Sequence, residues 1–488
     1  MNVAVAWGDR WYDPVVGLLW NPAGSFAPAV RDGTVHLLPQ SAWYAFGLLE
    51  RGRPGDLDRA TRVLDAVLNH QYDLPGTPWN GTFARVAEAP EPTDGAREWV
   101  DYDPNWRQFI ASTFLVILRH HADRIDSVLI SRLDRSIDLA VRGEPEGRIQ
   151  PGYSNIALMH AFVAVEFGSR SGDSGLIGEG ERLAAAVVEA FDRCGALDEY
   201  NSPTYYGMDL LALAMWRTCA ASEMLQRDGL RLEAQLWMDL AMFFHAGMRN
   251  VIGPFDRTYG MDMTRYLAMV GLWWIPGFGV GEAPVPDLAT DAIVHGHDLL
   301  VGPLIARLAG PVPRDAVEFL RRFEGVRALD RPIGVEPSRS ASAWLEPDLA
   351  FGGQEGEPGR PAAGQFAPAT VHWLLPVDTA ESFCGVGSVR FFCDDPTSAR
   401  AGDAMLRIGT TPGGEGPADA WFLVSTGGAV PLSPAMVGPG RWDLPGLTLR
   451  VQANGALVAV EPFGDDLLVG FRAGPGGHRF TLRRVGDA

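Results

Sequence analysis

A chain of 488 residues with a formal charge of −19 and no lysine closes off several chemistries at once. The acidity argues against nucleic acid or an anionic membrane surface as a partner. Without lysine there is no Schiff base for pyridoxal-phosphate catalysis and no phosphate-loop lysine, while 47% hydrophobic and 21% charged residues suffice for two or three globular domains.

Residues 1–35, rich in Trp, Gly and Pro, read as an irregular N-terminal arm or as short strands laid on the first helices. From Ser41 the pattern turns helical, and 57–70 is amphipathic, with Leu57, Ala60, Val63, Leu64 and Val67 on one face. Residues 71–103 form a long aromatic loop, a type that tends to be functional. Asp103-Pro104 then signals a helix start, with Asp103 as cap and Pro104 in the first turn. Further helices are expected at 125–141, 156–167, 181–194, 210–225, 230–248 and 263–275. Paired as hairpins, they predict an (α/α)-toroid of about six helical hairpins over 36–310.

At Pro276 the texture changes to Pro, Gly and Val. One helical piece remains at 316–323. From about 330, short apolar runs alternate with Gly/Pro turns at 369–375, 388–392, 404–408, 421–425, 447–451, 457–460, 467–471 and 480–484. This predicts an antiparallel β-sandwich domain over 311–488 and a multi-domain α and β protein. No apolar run reaches the ~20 residues that span a bilayer. Residues 1–11 lack the basic and apolar regions of a signal peptide, so the expectation is a cytoplasmic protein without a membrane partner. Composition leaves the oligomeric state open.

Cys194, Cys219, Cys384 and Cys393 form no CxxC pair and read as reduced thiols, although Cys384 and Cys393 are placed to meet across a hairpin. His295-Gly296-His297-Asp298 is the one tight His/Asp cluster. With no third ligand apparent, it reads as a solvated loop, and no metal or other cofactor is expected.

The chemistry concentrates in residues 198–209, where Glu199, Tyr200, Asn201, Tyr205, Tyr206 and Asp209 precede an apolar helical run. Tyr206-Gly207-Met208-Asp209 recurs 53 residues later as Tyr259-Gly260-Met261-Asp262, and Tyr153-Ser154-Asn155 lies 53 residues upstream. Equal spacing predicts equivalent helix starts on one rim, with a site between that rim and the β domain. Asn105, Trp106, Arg107 and Arg257 are further candidates for its lining.

Ser202-Pro203-Thr204-Tyr205, preceded by Glu199 and followed by an apolar helix, resembles the Ser-Pro-x-Tyr segment of heparinase II/III-type polysaccharide lyases. The resemblance implies a toroid followed by a β-sheet domain, with a tyrosine, here Tyr205, as Brønsted base or acid. It also implies an asparagine one hairpin upstream, here Asn155, that neutralises the substrate carboxylate. The family commonly has histidine after this tyrosine, where this chain has Tyr206, and of a histidine-rich β-domain segment only His372 lies in a predicted strand. The expected function is β-elimination on a uronic-acid-containing oligo- or polysaccharide. Tyr205, Asn155, Tyr206 and Arg257 would be catalytic, and Asn105, Trp106, Arg107, Tyr153, Glu199, Tyr200, Asn201, Asp209, Tyr259 and Asp262 would bind substrate. The alternatives are a glycoside hydrolase using Glu199, Asp209 and Asp262, or a carbohydrate-binding protein stacking sugars on Trp79, Trp106 and Tyr259.

Overall fold

A computed structural model describes residues 2–22, 34–290, 293–358, 364–376, 385–413, 418–474 and 476–486. The chain divides into two compact units, and neither is a single stretch of sequence. One unit holds residues 1–189, 208–233 and 295–310; the other holds 190–207, 234–294 and 311–488. At 189/190, 207/208 and 233/234 the chain changes unit inside continuous helices, where uninterrupted helical periodicity gives no local sign of it.

The chain begins with a helix, which was not expected, and the short strands that were expected follow it. Helix α1 (Asn2–Trp11) buries Ala4, Val5, Trp7 and Gly8 on one face. Gly8 is required there, since a Cβ would stand 2.6 Å from the Tyr44 ring. A small sheet of β1 (Tyr12–Asp13), β2 (Leu18–Pro22) and β3 (Thr34–Leu37) follows.

Helices α2 (Leu38–Arg51), α4 (Trp106–His121) and α6 (Ser154–Ser171) are buried around nearly their whole circumference. Helices α3 (Asp56–Leu68) and α5 (Ser127–Arg142) bury single stripes, Ala60/Val63/Leu64/Val67 and Leu129/Leu133/Ile137/Ala140. The difference sets their places: α4 packs between α2 and α6 as an inner row, while α3 and α5 pack on each other and on the inner row. Punctuation agrees with the expected hairpins. The Asp126 side chain caps α5 by accepting from the N–H groups of Val128 and Leu129, and α2 stops at Gly52 with φ 61°. The start of α4 is later than expected, with Asn105 rather than Asp103 as N-cap and Asp103 accepting from the Asn105 N–H at 2.9 Å.

Helices α7 (Ser174–Asp192), α8 (Tyr205–Cys219) and α9 (Glu223–Phe243) continue the helical pattern. The expected helix over 263–275 does not form. A short hairpin of β4 (Phe244–His245) and β5 (Asn250–Val251) leads into irregular chain, and only α10 (Met269–Leu272) and α11 (Trp274–Phe278) are helical. Tyr259 therefore opens no helix, unlike Tyr153 and Tyr206, and the third repeat is one of sequence only. Helices α12 (Gly302–Leu308) and α13 (Arg314–Arg321) precede the strands.

The strands are β6 (Arg327–Val335), β7 (Ser338–Leu345), β8 (Leu349–Glu355), β9 (Ala369–Leu374), β10 (Val386–Cys393), β11 (Thr397–Gly402) and β12 (Met405–Thr410). They continue as β13 (Ala420–Ser425), β14 (Val437–Gly438), β15 (Arg441–Leu444), β16 (Leu447–Ala453), β17 (Ala456–Phe463), β18 (Asp466–Arg472) and β19 (Arg479–Arg484). Two antiparallel sheets result, ordered β17-β18-β13-β10-β9-β8-β7-β6 and β11-β12-β19-β16-β15-β14. One apolar core draws Phe351, Val371, Phe391 and Phe422 from the first and Ile408, Trp442, Leu449 and Phe480 from the second. All eight runs singled out in the sequence are strands. Strands β7 and β8 escaped notice because they are built from Ser, Ala and Gly rather than large β-branched residues. Gly352 in β8 has a packing reason, as a Cβ there would meet the Gly253 carbonyl oxygen at 1.9 Å.

Among the described cysteines Cys194, Cys219 and Cys393 are free thiols, and Cys384 lies outside the described residues. No described helix is long and apolar enough to cross a membrane.

His372, the strand histidine, is fully buried in β9. Burial pushes its imidazole from 6.5 down to about 3. Below pH 6.5 the unfolded chain takes up a proton that the folded chain refuses, so this contribution is complete above 6.5 and is lost as pH falls towards 3. Urea denaturation of His372→Leu should therefore show a shallower loss of stability between those values than the parent. Parallel pH profiles would refute this.

Candidate active site

The segment 199–206 lies alongside 252–258 because a set of non-local bonds holds it there. The Tyr200 N–H donates to Asp256 at 2.8 Å. Asn201, whose φ of 49° suits asparagine better than most residues, donates its amide to the carbonyls of Ile252 and Pro254, both at 2.8 Å. The Ser202 hydroxyl donates to the Arg257 carbonyl at 2.7 Å and accepts from the Tyr205 N–H at 3.1 Å, capping the first turn of α8. These bonds bring Tyr205 and Arg257, 52 residues apart, into contact.

Asp256 anchors the set. It is fully buried and also accepts from Arg339 and Gln354, each at 2.8 Å. Burial pushes its carboxyl up and Arg339 opposes that shift. Replacing Arg339 by Met would strand the carboxylate, and breaking a buried pair from one side costs ~3–5 kcal/mol. Arg339→Met should show that loss in a denaturation curve, and a change below ~1 kcal/mol would mean that the pair does not hold the segment.

Around Tyr205 the polar groups form a connected cluster. Arg257 donates from Nη2 to the Tyr205 hydroxyl at 2.7 Å, from Nη1 to Glu199 at 2.6 Å and from Nε to Gln365 at 2.9 Å. Its guanidinium carbon stands 3.8 Å from the Tyr205 ring centroid. The Tyr259 hydroxyl shares a hydrogen bond with that of Tyr205 at 2.8 Å. Burial and then Tyr259 push the Tyr205 phenol well above its ordinary value, and Arg257 pulls against them. Burial disfavours the charge on Arg257, but Tyr205 and Glu199 more than offset this, so the guanidinium stays protonated. Tyr205 is half-buried and Tyr259 is 41% exposed, so this is a phenol pair with one open side, backed by a fixed cation.

The neighbouring tyrosines have a different place. Tyr200 and Tyr206 are both 0% exposed, and their hydroxyls donate to opposite oxygens of Asp239 at 3.1 and 3.2 Å. Arg331 pairs with the same carboxylate. Both tyrosine side chains are closed off from solvent in this arrangement, as is Asn201 at 1% exposure, so none of the three presents an open face. Asp262 is a turn cap: one oxygen accepts from the Thr264 N–H and hydroxyl at 2.9 and 2.7 Å, and the other from the Val386 N–H at 3.2 Å.

The helical unit holds a second polar cluster. The Asn105 side-chain amide donates from its nitrogen to the Tyr153 hydroxyl at 2.7 Å, and its oxygen Oδ1 accepts from Arg148 at 3.0 Å. Arg148 also holds Glu144, which accepts from Gln108 at 2.9 Å. Tyr153 and Asn155 lie at the start of α6, 5% and 1% exposed. Arg107, expected to bind substrate, is 1% exposed and donates to the carbonyls of Pro78, Asn80 and Pro104. Burial lowers its pKa to about 10. Its role is to staple the 71–103 loop to α4. Trp79 is buried at 5% exposure and offers no stacking face, and Asp209 is fully buried. Trp106 is half-buried, with its indole N–H on the Arg85 carbonyl at 3.3 Å.

Sequence reasoning missed Gln365, Asp239 and Arg331. None carries a local signal, and Gln365 is 108 residues from the arginine it holds. Glu144 and Arg148 were missed as well: they are four residues apart but lie in the turn after α5, so helix spacing does not announce the pair.

These features define a protein of packed helices and antiparallel sheets with a tyrosine–arginine cluster at the start of a helix. A family profile described as "Domain of unknown function (DUF8769)" matches residues 1–310, and the chain belongs to that family. No curated protein matches the chain. A solved structure titled "Crystal Structure of Heparinase III" is similar over 92% of this chain and 77% of that one, at 10% identity and a TM-score of 0.41, a likeness that decides nothing about activity.

Proposed function

We propose that the protein is a carbohydrate lyase, acting on uronic-acid-containing oligo- or polysaccharides by β-elimination, on a helical domain of the (α/α)-toroid kind. What supports this reading is the half-buried Tyr205 phenol, bonded at 2.7 Å to a guanidinium that Glu199 and Gln365 hold in place. The Ser-Pro-x-Tyr resemblance supplies the substrate class. In the proposed step, Tyr205 as phenolate removes the C5 proton next to the sugar carboxylate. The C–H electron pair becomes the C4–C5 double bond, the C4–O bond breaks, and the departing oxygen takes a proton from the phenol. Arg257 stabilises the phenolate that the first half of this cycle needs.

The hydrolase reading has less support, because Glu199, Asp209 and Asp262 are 5%, 0% and 7% exposed, whereas a hydrolytic pair must face substrate and water. The test is a panel of uronic-acid oligosaccharides followed by ultraviolet absorbance. An absorbing unsaturated product is the expected result. New reducing ends without absorbance would replace the lyase by a hydrolase, and binding without turnover would leave a sugar-binding protein.

A further inference from the structure

His295, His297 and Asp298 are not the solvated loop that their sequence suggests. His297 and Asp298 are 6% and 4% exposed, and His295 is half-buried. One ligand atom from each of the three lies within 4.8 Å of the others. Around a tetrahedral ion with bonds of about 2.0–2.2 Å, neighbouring ligand atoms stand roughly 3.3–3.5 Å apart. His297 Nε2 and Asp298 Oδ1 are already at 3.2 Å, close to the spacing of two ligands on one ion.

The backbone is shaped to make this cluster. His295 sits at φ 57°, a left-handed conformation uncommon for a residue with a Cβ. The Asp298 N–H then donates to the His295 carbonyl at 3.0 Å, closing a turn that gathers the three side chains. The 3-10 turn that follows, Gly296–Val301, packs on α1 and α2, so the cluster stands on rigid elements rather than on a free loop. Strained backbone held by firm packing is a recurrent feature of ligand sites.

We propose that His295, His297 and Asp298 bind one divalent transition-metal ion of the zinc class. Two imidazoles and one carboxylate suit zinc or cobalt and not calcium or magnesium, which favour oxygen ligands. Three protein ligands leave a coordination position for water. The proposal is independent of the lyase reading.

The test uses the full chain, stripped with chelator and titrated with Co²⁺ and Zn²⁺. The wild type should take up one equivalent, with visible bands of four- or five-coordinate Co²⁺ that Zn²⁺ abolishes, and its Tm should rise with Zn²⁺. His295→Asn keeps a residue that tolerates the left-handed backbone, and His297→Gln removes the second imidazole. Losing a group that merely orients a metal ligand already costs affinity about 10–100-fold, so removing a ligand itself should weaken binding by about 100-fold or more. No saturable uptake by the wild type would overturn the proposal, as would uptake undiminished in both folded variants. If neither variant folds, the wild type decides: a Tm indifferent to Zn²⁺ overturns the site, and a Zn²⁺-dependent Tm with the Co²⁺ bands supports it.

Discussion

Replacing Tyr205 by Phe should lower turnover of a uronic-acid oligosaccharide by a factor on the order of 10²–10⁴, the usual worth of a positioned acid/base group. The change removes one hydroxyl. Its hydrogen-bond partners are Arg257, still held by Glu199 and Gln365, and the exposed Tyr259. The fold should therefore survive, and substrate affinity should move far less than turnover. The informative control is Tyr206→Phe, one residue on. That hydroxyl is buried on Asp239, so its loss should register in stability and leave turnover nearly unchanged. Full activity in Tyr205→Phe would remove the tyrosine mechanism.

Arg257→Met should produce the second large effect, and its mark is the pH profile. The Tyr205 phenol is raised by burial and by Tyr259, so at neutral pH only a small fraction is the base. Below the phenol's pKa that fraction grows tenfold per pH unit, so kcat/KM should climb with pH and still be rising at the ordinary tyrosine value of 10.0. Arg257 is the one group found to oppose the shift among its main causes. Its removal should move the alkaline limb further up and lower kcat/KM at pH 8 by about 10²–10³-fold, the range seen when one preorganised electrostatic partner is lost. The variant also leaves Glu199 buried without its cation, so Glu199→Gln/Arg257→Met separates the effects. Stability should recover in the double variant, and the pH limb should stay displaced. A limb unmoved in both would mean that Arg257 does not act through the phenol.

Much of the architecture was written in local pattern. The inner helices α2, α4 and α6 are apolar on nearly every face, and α3 and α5 on one, a difference readable from 3.6-residue periodicity. The strands that were recognised carry large apolar residues at alternate positions. Those that escaped, such as β7 and β8, are buried through small residues whose reason lies in another segment: Gly352 is small because Gly253 crosses it. The 53-residue repeat marks helix starts at Tyr153 and Tyr206 and misleads at Tyr259, which opens no helix. The partner of Tyr259 is Tyr205, 54 residues away, and not Tyr206.

The sequence by itself determined the order of helices before strands, the exclusion of lysine chemistry, and a small set of candidates that included Tyr205 and Arg257. Only the tertiary structure decided which of three closely spaced tyrosines keeps an open side. Successive helical residues point about 100° apart, so Tyr205 and Tyr206 at the start of α8 cannot face the same surroundings. Which of them meets Asp239 and which meets Arg257 depends on where segments 239, 257 and 365 return in space. The same holds for His295, His297 and Asp298. Their spacing was legible, but burial against α1 and α2 comes from the N-terminal end of this sequence and is set by packing, which no local pattern encodes.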